Sequence, residues 1–330
     1  MKYMKLGNTE IDVSILSLGT WGMGGGTSWQ GSDDDESIKV IHRAKDLGIN
    51  LIDTAPVYGT GHSEEVLGRA LKGRRSEYIL STKCTLNWRS DKGDKQYDRD
   101  GKTVYRCFEP QALRADLEDS LKRMGTDYID IYITHRQPDE LSSVAEIYGV
   151  LDECKRQGKI RAIGISNASQ AFLEAYLKCG PVELVQEKFS FLEAAGKMEY
   201  LSFCEKNKVV FQAFSVLERG LLAGKIGMDY ELKKGEARNS ISWMAAGKRG
   251  HVLKMLNKWK DLCAKYNCSA ANLVIAYTAR YSSQLNVLFG ASRLESLEDT
   301  VRSMDIKLQQ DDIERMKIDI ANTLQACVNT

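Results

Sequence analysis

Four side chains able to move or hold a proton fall where short apolar runs end. The run 50–53 ends in Asp53 with Tyr58 just beyond it, the run 78–82 is followed by Lys83, and the run 129–134 is followed by His135. A tyrosine hydroxyl titrates near pH ~10, too high to share its proton readily at neutral pH, but an adjacent ammonium favours the phenolate and lowers that value. Lys83 supplies such a charge. Asp53 would pair with it, because an unpaired buried ammonium is costly, and His135 would hydrogen-bond a substrate oxygen and orient it. The set makes a general acid that protonates an oxygen while another species attacks the carbon. Singly, each residue has an ordinary reading as a turn acid, a solvated lysine or one of four histidines. Their joint occurrence at three successive strand ends sets them apart.

What must position them is a regular alternation. After an expected β-hairpin (4–6, a turn at Gly7-Asn8, then 13–18), eight strand-like runs appear at 15–19, 50–53, 78–82, 129–134, 160–165, 184–186, 209–213 and 287–289. Helix-period stretches separate them at 33–47, 63–71, 110–124, 143–157, 169–178 and 198–206, and, after a longer segment, at 252–266 and 269–280. Asp33 suits the first helix N-cap, and Gly48, Gly73, Gly125, Gly158 and Gly180 stand where left-handed helix ends are expected. Short apolar strands joined by helices pair in parallel with both faces covered. Eight units in 330 residues, with no linker between halves, imply one α/β domain over 1–330. Its fold is read as a single (β/α)8 TIM barrel with an N-terminal hairpin and a long loop after strand 7. That polar segment, 218–250, reads as a lid or binding arm, and the stretch 84–107, with Trp88, Arg89, Tyr97, Arg99, Tyr105 and Arg106, as a pocket-shaping loop.

Lys plus Arg total 46 against 45 Asp plus Glu, so no long-range field draws nucleic acid or a membrane surface. A small-molecule partner is expected. No stretch reads as a signal peptide or membrane span, giving a cytoplasmic expectation. The eight cysteines show no CxxC and no zinc spacing, so they read as reduced thiols and no metal is expected.

The chain resembles an aldo-keto reductase. The resemblance lies in Leu18-Gly19-Thr20-Trp21-Gly22, Leu51-Ile52-Asp53-Thr54-Ala55 with Tyr58-Gly59 and Ser63-Glu64, and Ser81-Thr82-Lys83. It continues through 121–130 to His135, Gly158 to Asn167, and Gly220-Leu221-Leu222-Ala223-Gly224-Lys225. It implies a catalytic tetrad at Asp53, Tyr58, Lys83 and His135, and a hydride from NADPH, or else NADH, bound without a Rossmann fold. The glycines of 22–26 lack dinucleotide-fingerprint spacing.

The resemblance also implies cofactor contacts. Thr20 and Trp21 would border the nicotinamide ribose, with Asp53 nearby, and Ser166, Asn167 and Gln186 would bind the carboxamide. Phe214 would stack on the ring. Ser215, Leu217, Gly220, Leu222, Lys225 and Arg238 would follow the pyrophosphate, and Gly290, Ser292 and Arg293 open a helix suited to a phosphate. Ser296, Asp299 and Thr300 take the adenosine-end positions, where they depart from the family's Gln or Arg and Glu-Asn. That departure implies a modest preference for NADPH. Trp21, Tyr58, Trp88, His135 and Arg136 would meet the substrate, an aldehyde, ketone or sugar-like carbonyl. Arg136 replaces an aromatic common there; facing inward it would pair with an anionic substrate, facing outward it is solvated. The alternative function is a nucleotide-sensing regulatory subunit that binds the cofactor with little turnover.

Overall fold

Eight strands close into a parallel barrel in the computed structural model, which describes residues 1–233 and 236–328. The chain first makes a hairpin of β1 (Tyr3–Lys5) and β2 (Asp12–Ser14). The apolar run 13–18 therefore divides: Val13 and Ser14 complete the hairpin, and β3 (Leu16–Gly19) starts the barrel. A continuous apolar run carries no mark of where one pairing partner gives way to another.

The barrel continues through β4 (Leu51–Asp53), β5 (Ile79–Cys84), β9 (Ile129–Thr134), β10 (Ile160–Ser166), β11 (Leu184–Lys188), β12 (Val210–Phe214) and β13 (Leu285–Gly290), which returns to β3. Outside it run α1 (Asp34–Asp46), α2 (His62–Leu71), α3 (Pro110–Met124), α4 (Val144–Arg156), α5 (Gln170–Cys179) and α6 (Met198–Lys206). Asp33 caps α1 by accepting from the Glu36 N–H at 2.9 Å. Of the five expected left-handed ends, Gly180 departs. Its φ of 162° is extended backbone, and a Cβ there would stand 2.2 Å from the Tyr148 hydroxyl oxygen, so any other residue would require the Tyr148 side chain to shift.

The last third contains α7 (Ala246–Lys258), α8 (Lys260–Lys265), α9 (Ala270–Thr278), α10 (Leu294–Val301) and α11 (Gln310–Val328). The expected helix 252–266 is two helices, broken at Trp259, and starts earlier. The segment 218–250 is less open than its polarity suggests, because Leu221, Leu222, Ile226, Ile241, Trp243 and Met244 are buried in a second apolar cluster with α7, α9 and α11. Its short 3-10 turns, with about three residues per turn, hide that burial from a helix-period reading. Lys234 and Gly235 lie outside the described residues.

The stretch after β5 is also structured. β6 (Leu86–Asn87), β7 (Asp94–Arg99) and β8 (Lys102–Arg106) form an antiparallel sheet with a turn at Asp100-Gly101. Three ties hold this sheet to the barrel rim. Arg89 pairs with Asp116 and Asp119 of α3 at 2.6 and 2.9 Å. Arg106 reaches Asp139 at 2.8 Å, and Asp100 accepts from the Thr27 N–H at 3.1 Å.

Inside the barrel, Leu6, Ile11 and Val13 of the hairpin pack with Leu51, Ile131, Ile133, Ala162, Leu184 and Val210 and plug the floor. Above that plug the inward positions turn polar. Asn286 and Gln212 are hydrogen-bonded at 3.0 Å, and Gln212 accepts from Gln186 Nε2 at 2.6 Å. Gln186 Nε2 also donates to Asp53 Oδ1 at 2.9 Å.

Candidate functional site

This polar layer ends on the ion pair beneath the barrel mouth. Asp53 is the last residue of β4 and lies opposite Ser81 in register. Strand side chains alternate, so Ser81 and Lys83 of β5 face the interior together. Both charges are buried, Lys83 at 0% and Asp53 at 1% exposure. Lys83 Nζ donates to Asp53 Oδ2 at 2.7 Å, to the Thr54 carbonyl at 2.7 Å and to the Tyr58 hydroxyl oxygen at 3.2 Å. The other carboxylate oxygen of Asp53 accepts from Ser81 Oγ at 2.8 Å. Burial alone would drive the Lys83 ammonium to lose its proton, but Asp53 and Tyr58 hold its pKa above the usual lysine value.

Tyr58 sits in the turn after β4. Gly24 and Gly59 let two backbones touch there: a Cβ on Gly59 would stand 1.9 Å from the Gly24 carbonyl oxygen. One use of the glycine run is thus to seat the Tyr58 turn. The expected lowering of the tyrosine pKa needs correction. Burial outweighs the Lys83 charge, Asp53 adds to burial, and the hydroxyl lies above its ordinary value. The phenol is therefore protonated at neutral pH.

The His135 ring lies edge-on to Tyr58, with centroids 6.1 Å apart. Its Nδ1 is enclosed without a partner among the described residues. Burial, then the Lys83 and Arg136 charges, hold the imidazole well below its usual pKa, so it is neutral. A neutral ring and a protonated phenol facing one space can both hydrogen-bond a carbonyl oxygen.

The remaining expected substrate residues surround this space unevenly. Trp21 packs against Tyr58 at 6.2 Å and edge-on to Trp29 at 5.4 Å. Trp88, just after β6, and Tyr97 of β7 pack with Tyr58 against one apolar cluster. Arg136 is exposed. Sequence reading did not single out Trp29 or Thr54. The spacing of two between Ser81 and Lys83 was a usable signal for Ser81.

Several expected cofactor residues are committed elsewhere in the fold. Thr20 is buried, with its hydroxyl shared between the Asp53 carbonyl and Ser63. Asn167 donates to the His135 carbonyl and to Ser166 Oγ, and Ser166 Oγ donates to the Gln186 carbonyl. Leu222 is core, which leaves only its backbone for a ligand. Arg238 pairs with Glu236 and stacks over Trp29 at 5.7 Å. Asp299 Oδ2 accepts from Ser269 Oγ at 2.7 Å and so ties α10 to α9, while Thr300 is buried and Ser296 half-buried.

Other features on the rim fit a long anionic nucleotide. Phe214, Ser215, Leu217 and Gly220 are partly open at the end of β12, and Lys225 is exposed. The backbone is left-handed at Ser215, Glu218, Arg219 and Gly220, with φ of 58°, 45°, 51° and 101°, a curvature that suits an anion-binding nest. Arg219 stacks over Trp21 at 5.0 Å and has an enclosed Nε without a partner among the described residues. At the end of β13, Gly290 is exposed, with the Gly19 carbonyl oxygen 3.9 Å from where a Cβ would stand, and α10 begins behind exposed Ser292 and Arg293 with no side-chain cap.

Known proteins resemble this chain in sequence and in fold. The aldo/keto reductase family model matches residues 15–320. The NADH-specific methylglyoxal reductase of Escherichia coli is 39% identical over 96% of this chain and 98% of its own. Aldo-keto reductase YhdN of Bacillus subtilis is 32% identical over 98% and 95%. The structure of glycerol dehydrogenase AKR11B4 from Gluconobacter oxydans superposes with a TM-score of 0.87 at 29% identity, covering 97% of this chain and 95% of that one. With the closed barrel, these matches make the chain a member of the aldo/keto reductase family, an enzyme that reduces carbonyl groups with a nicotinamide nucleotide.

Proposed function

We propose that this enzyme reduces small or sugar-like aldehydes and ketones to alcohols with Tyr58 as proton donor, and that it takes NADPH in modest preference to NADH. The observation that carries the reading is the Lys83 ammonium, which bridges buried Asp53 at 2.7 Å and the Tyr58 hydroxyl at 3.2 Å. A bound nicotinamide nucleotide supplies the hydride. Tyr58 holds the proton that the carbonyl oxygen takes, neutral His135 donates a hydrogen bond to orient that oxygen, and Lys83 opposes the negative charge left on Tyr58. Trp21, Trp88 and Tyr97 keep water from the reacting atoms.

Ser166, Asn167 and Gln186 are proposed to meet the nicotinamide end, with Phe214 stacked on the ring. Ser215, Leu217, Gly220, the Leu222 backbone and Lys225 would follow the pyrophosphate, and Gly290, Ser292 and Arg293 the adenosine phosphate. Arg238, already paired with Glu236, contributes less charge than its type suggests. A methylglyoxal-like or glycerol-like substrate accords with the names of the relatives.

The 2′-phosphate separates the two nucleotides, and exposed Arg293 is the cation proposed to read it. Arg293→Ala should weaken NADPH binding about tenfold, the scale of one charge-assisted hydrogen bond, with NADH nearly untouched. Fluorescence titration of both nucleotides against both proteins tests this. The NADH-specific relative favours the opposite choice, and tighter NADH binding by the unmodified protein would establish it. Oxidation of either nucleotide with methylglyoxal, glyceraldehyde and a polyol-derived ketose, followed by absorbance, tests the substrate range; bound but unconsumed nucleotide would contradict it.

A further inference from the structure

We infer that the mouth accepts a carbonyl compound bearing an anionic group, a carboxylate or a phosphate, held between Arg99 and Arg136 beside the Tyr97 hydroxyl while the carbonyl lies at Tyr58 and His135. The inference rests on the proposed role of Tyr58 and adds a substrate class to it. Tyr97, on β7, is half-buried and packs in one cluster with Tyr58 and Trp88. The Arg99 guanidinium lies 4.6 Å from the Tyr97 ring centroid. Arg136 follows His135 directly, and its backbone is fixed by donation to Thr85 Oγ1 at 3.2 Å while its side chain is exposed. Both charges act on the Tyr97 hydroxyl, although burial still leaves it above the ordinary tyrosine value. One strand, β7, and the loop after β9 thus bring two cations and a phenol to the edge of the reacting groups.

The distinguishing feature is that these cations are bare. Neighbouring arginines of the inserted sheet have acids of their own, Arg89 with Asp116 and Asp119, Arg106 with Asp94 and Asp139. Among the described residues, neither Arg99 nor Arg136 has a carboxylate partner. The acids nearby are engaged elsewhere. Asp98 is held by Lys95 at 2.7 Å and Thr103 at 2.6 Å, Asp100 by the Thr27 N–H at 3.1 Å, and Glu187 by Lys197 at 2.9 Å and the Ala168 N–H at 2.6 Å. An excess of positive charge is left at the entrance, and guanidinium groups bind carboxylates and phosphates through paired donors.

Matched substrate pairs test the inference: succinic semialdehyde against butanal for a carboxylate, and glyceraldehyde 3-phosphate against glyceraldehyde for a phosphate. The anionic member of at least one pair should have a kcat/KM higher by about tenfold, the scale of one charge-assisted hydrogen bond. Raising ionic strength should shrink that ratio. Arg99→Gln and Arg136→Gln should each reduce it about tenfold; because the ratio is taken within one protein, partial loss of folded material cancels. Ratios near one in both pairs, or ratios that neither substitution changes, would overturn the anion site and leave carbonyl reduction standing. No nucleotide oxidation with any of the four compounds would overturn the role of Tyr58 and the anion site together.

Discussion

Lys83 has three donors and uses all of them, on Asp53, on the Thr54 carbonyl and on Tyr58. A residue so fully bonded is rigid, which fixes where its charge acts. Its proposed part is to oppose the charge that develops on Tyr58, and this has a pH signature. Reduction needs Tyr58 protonated, so its rate falls as pH rises through the Tyr58 pKa, which burial places above the ordinary value. The rate should therefore stay level through about pH 9. Lys83→Met removes the charge of Lys83, which pulls this pKa down, so the alkaline fall should move higher while the rate drops by about a hundredfold. His135, neutral well below its usual range, should add no acid limb near pH ~6.5. A kcat/KM profile of the variant with an unmoved alkaline limb would make Lys83 a structural residue only.

At the scale of elements, the inserted sheet is held by its first tie, Asp116. This carboxylate of α3 is 2% exposed and accepts from the Thr85 N–H at 3.0 Å and from Arg89 at 2.6 Å. Thr85 is a β-branched residue at φ 78°, a conformation that costs on the order of 1–3 kcal/mol unless its surroundings impose it. Asp116→Ala leaves that N–H unpaired, and should lower stability by about 2 kcal/mol in urea titration. Burial, against the pull of Arg89, raises the Asp116 pKa to about 6. A folded value above the unfolded one contributes stability that is present below about pH 4 and lost as pH rises through about 6. The cost of Asp116→Ala should thus be larger at about pH 4 than at about pH 7, and a pH-independent cost would refute the assignment.

The same elements show what the sequence made legible. Strand ends and their inward alternation were readable because period two is rigid, and they located Asp53, Lys83 and His135. The inserted sheet was not, because its charged strand Asp94–Arg99 has no apolar face to announce it; the Asp100-Gly101 turn was the available signal. The direction of the Tyr58 shift was missed because desolvation depends on neighbours such as Tyr97 that are distant in sequence. The engagement of Thr20 and Asp299 within the protein was equally invisible, since each partner lies on another element, whereas Glu236 stands only two residues from Arg238.

For the whole molecule, barrel closure joins β13 back to β3 and brings the proposed phosphate-binding turn at Gly290 beside Gly19, one residue from Thr20. A ligand spanning that rim ties the last strands to the first. Nucleotide at about a hundred times its Kd should add about 2.7 kcal/mol of stability, seen as a higher Tm by calorimetry. An unchanged Tm would show that the folded barrel does not bind it. The central claim, that this barrel delivers the substrate proton from Tyr58, is tested most directly by single-turnover reduction with Tyr58→Phe. The variant keeps the ring and its packing and loses only the hydroxyl. It should bind nucleotide as the unmodified protein does and oxidise it at least about a hundredfold more slowly; oxidation within a few-fold of the unmodified rate would contradict the claim.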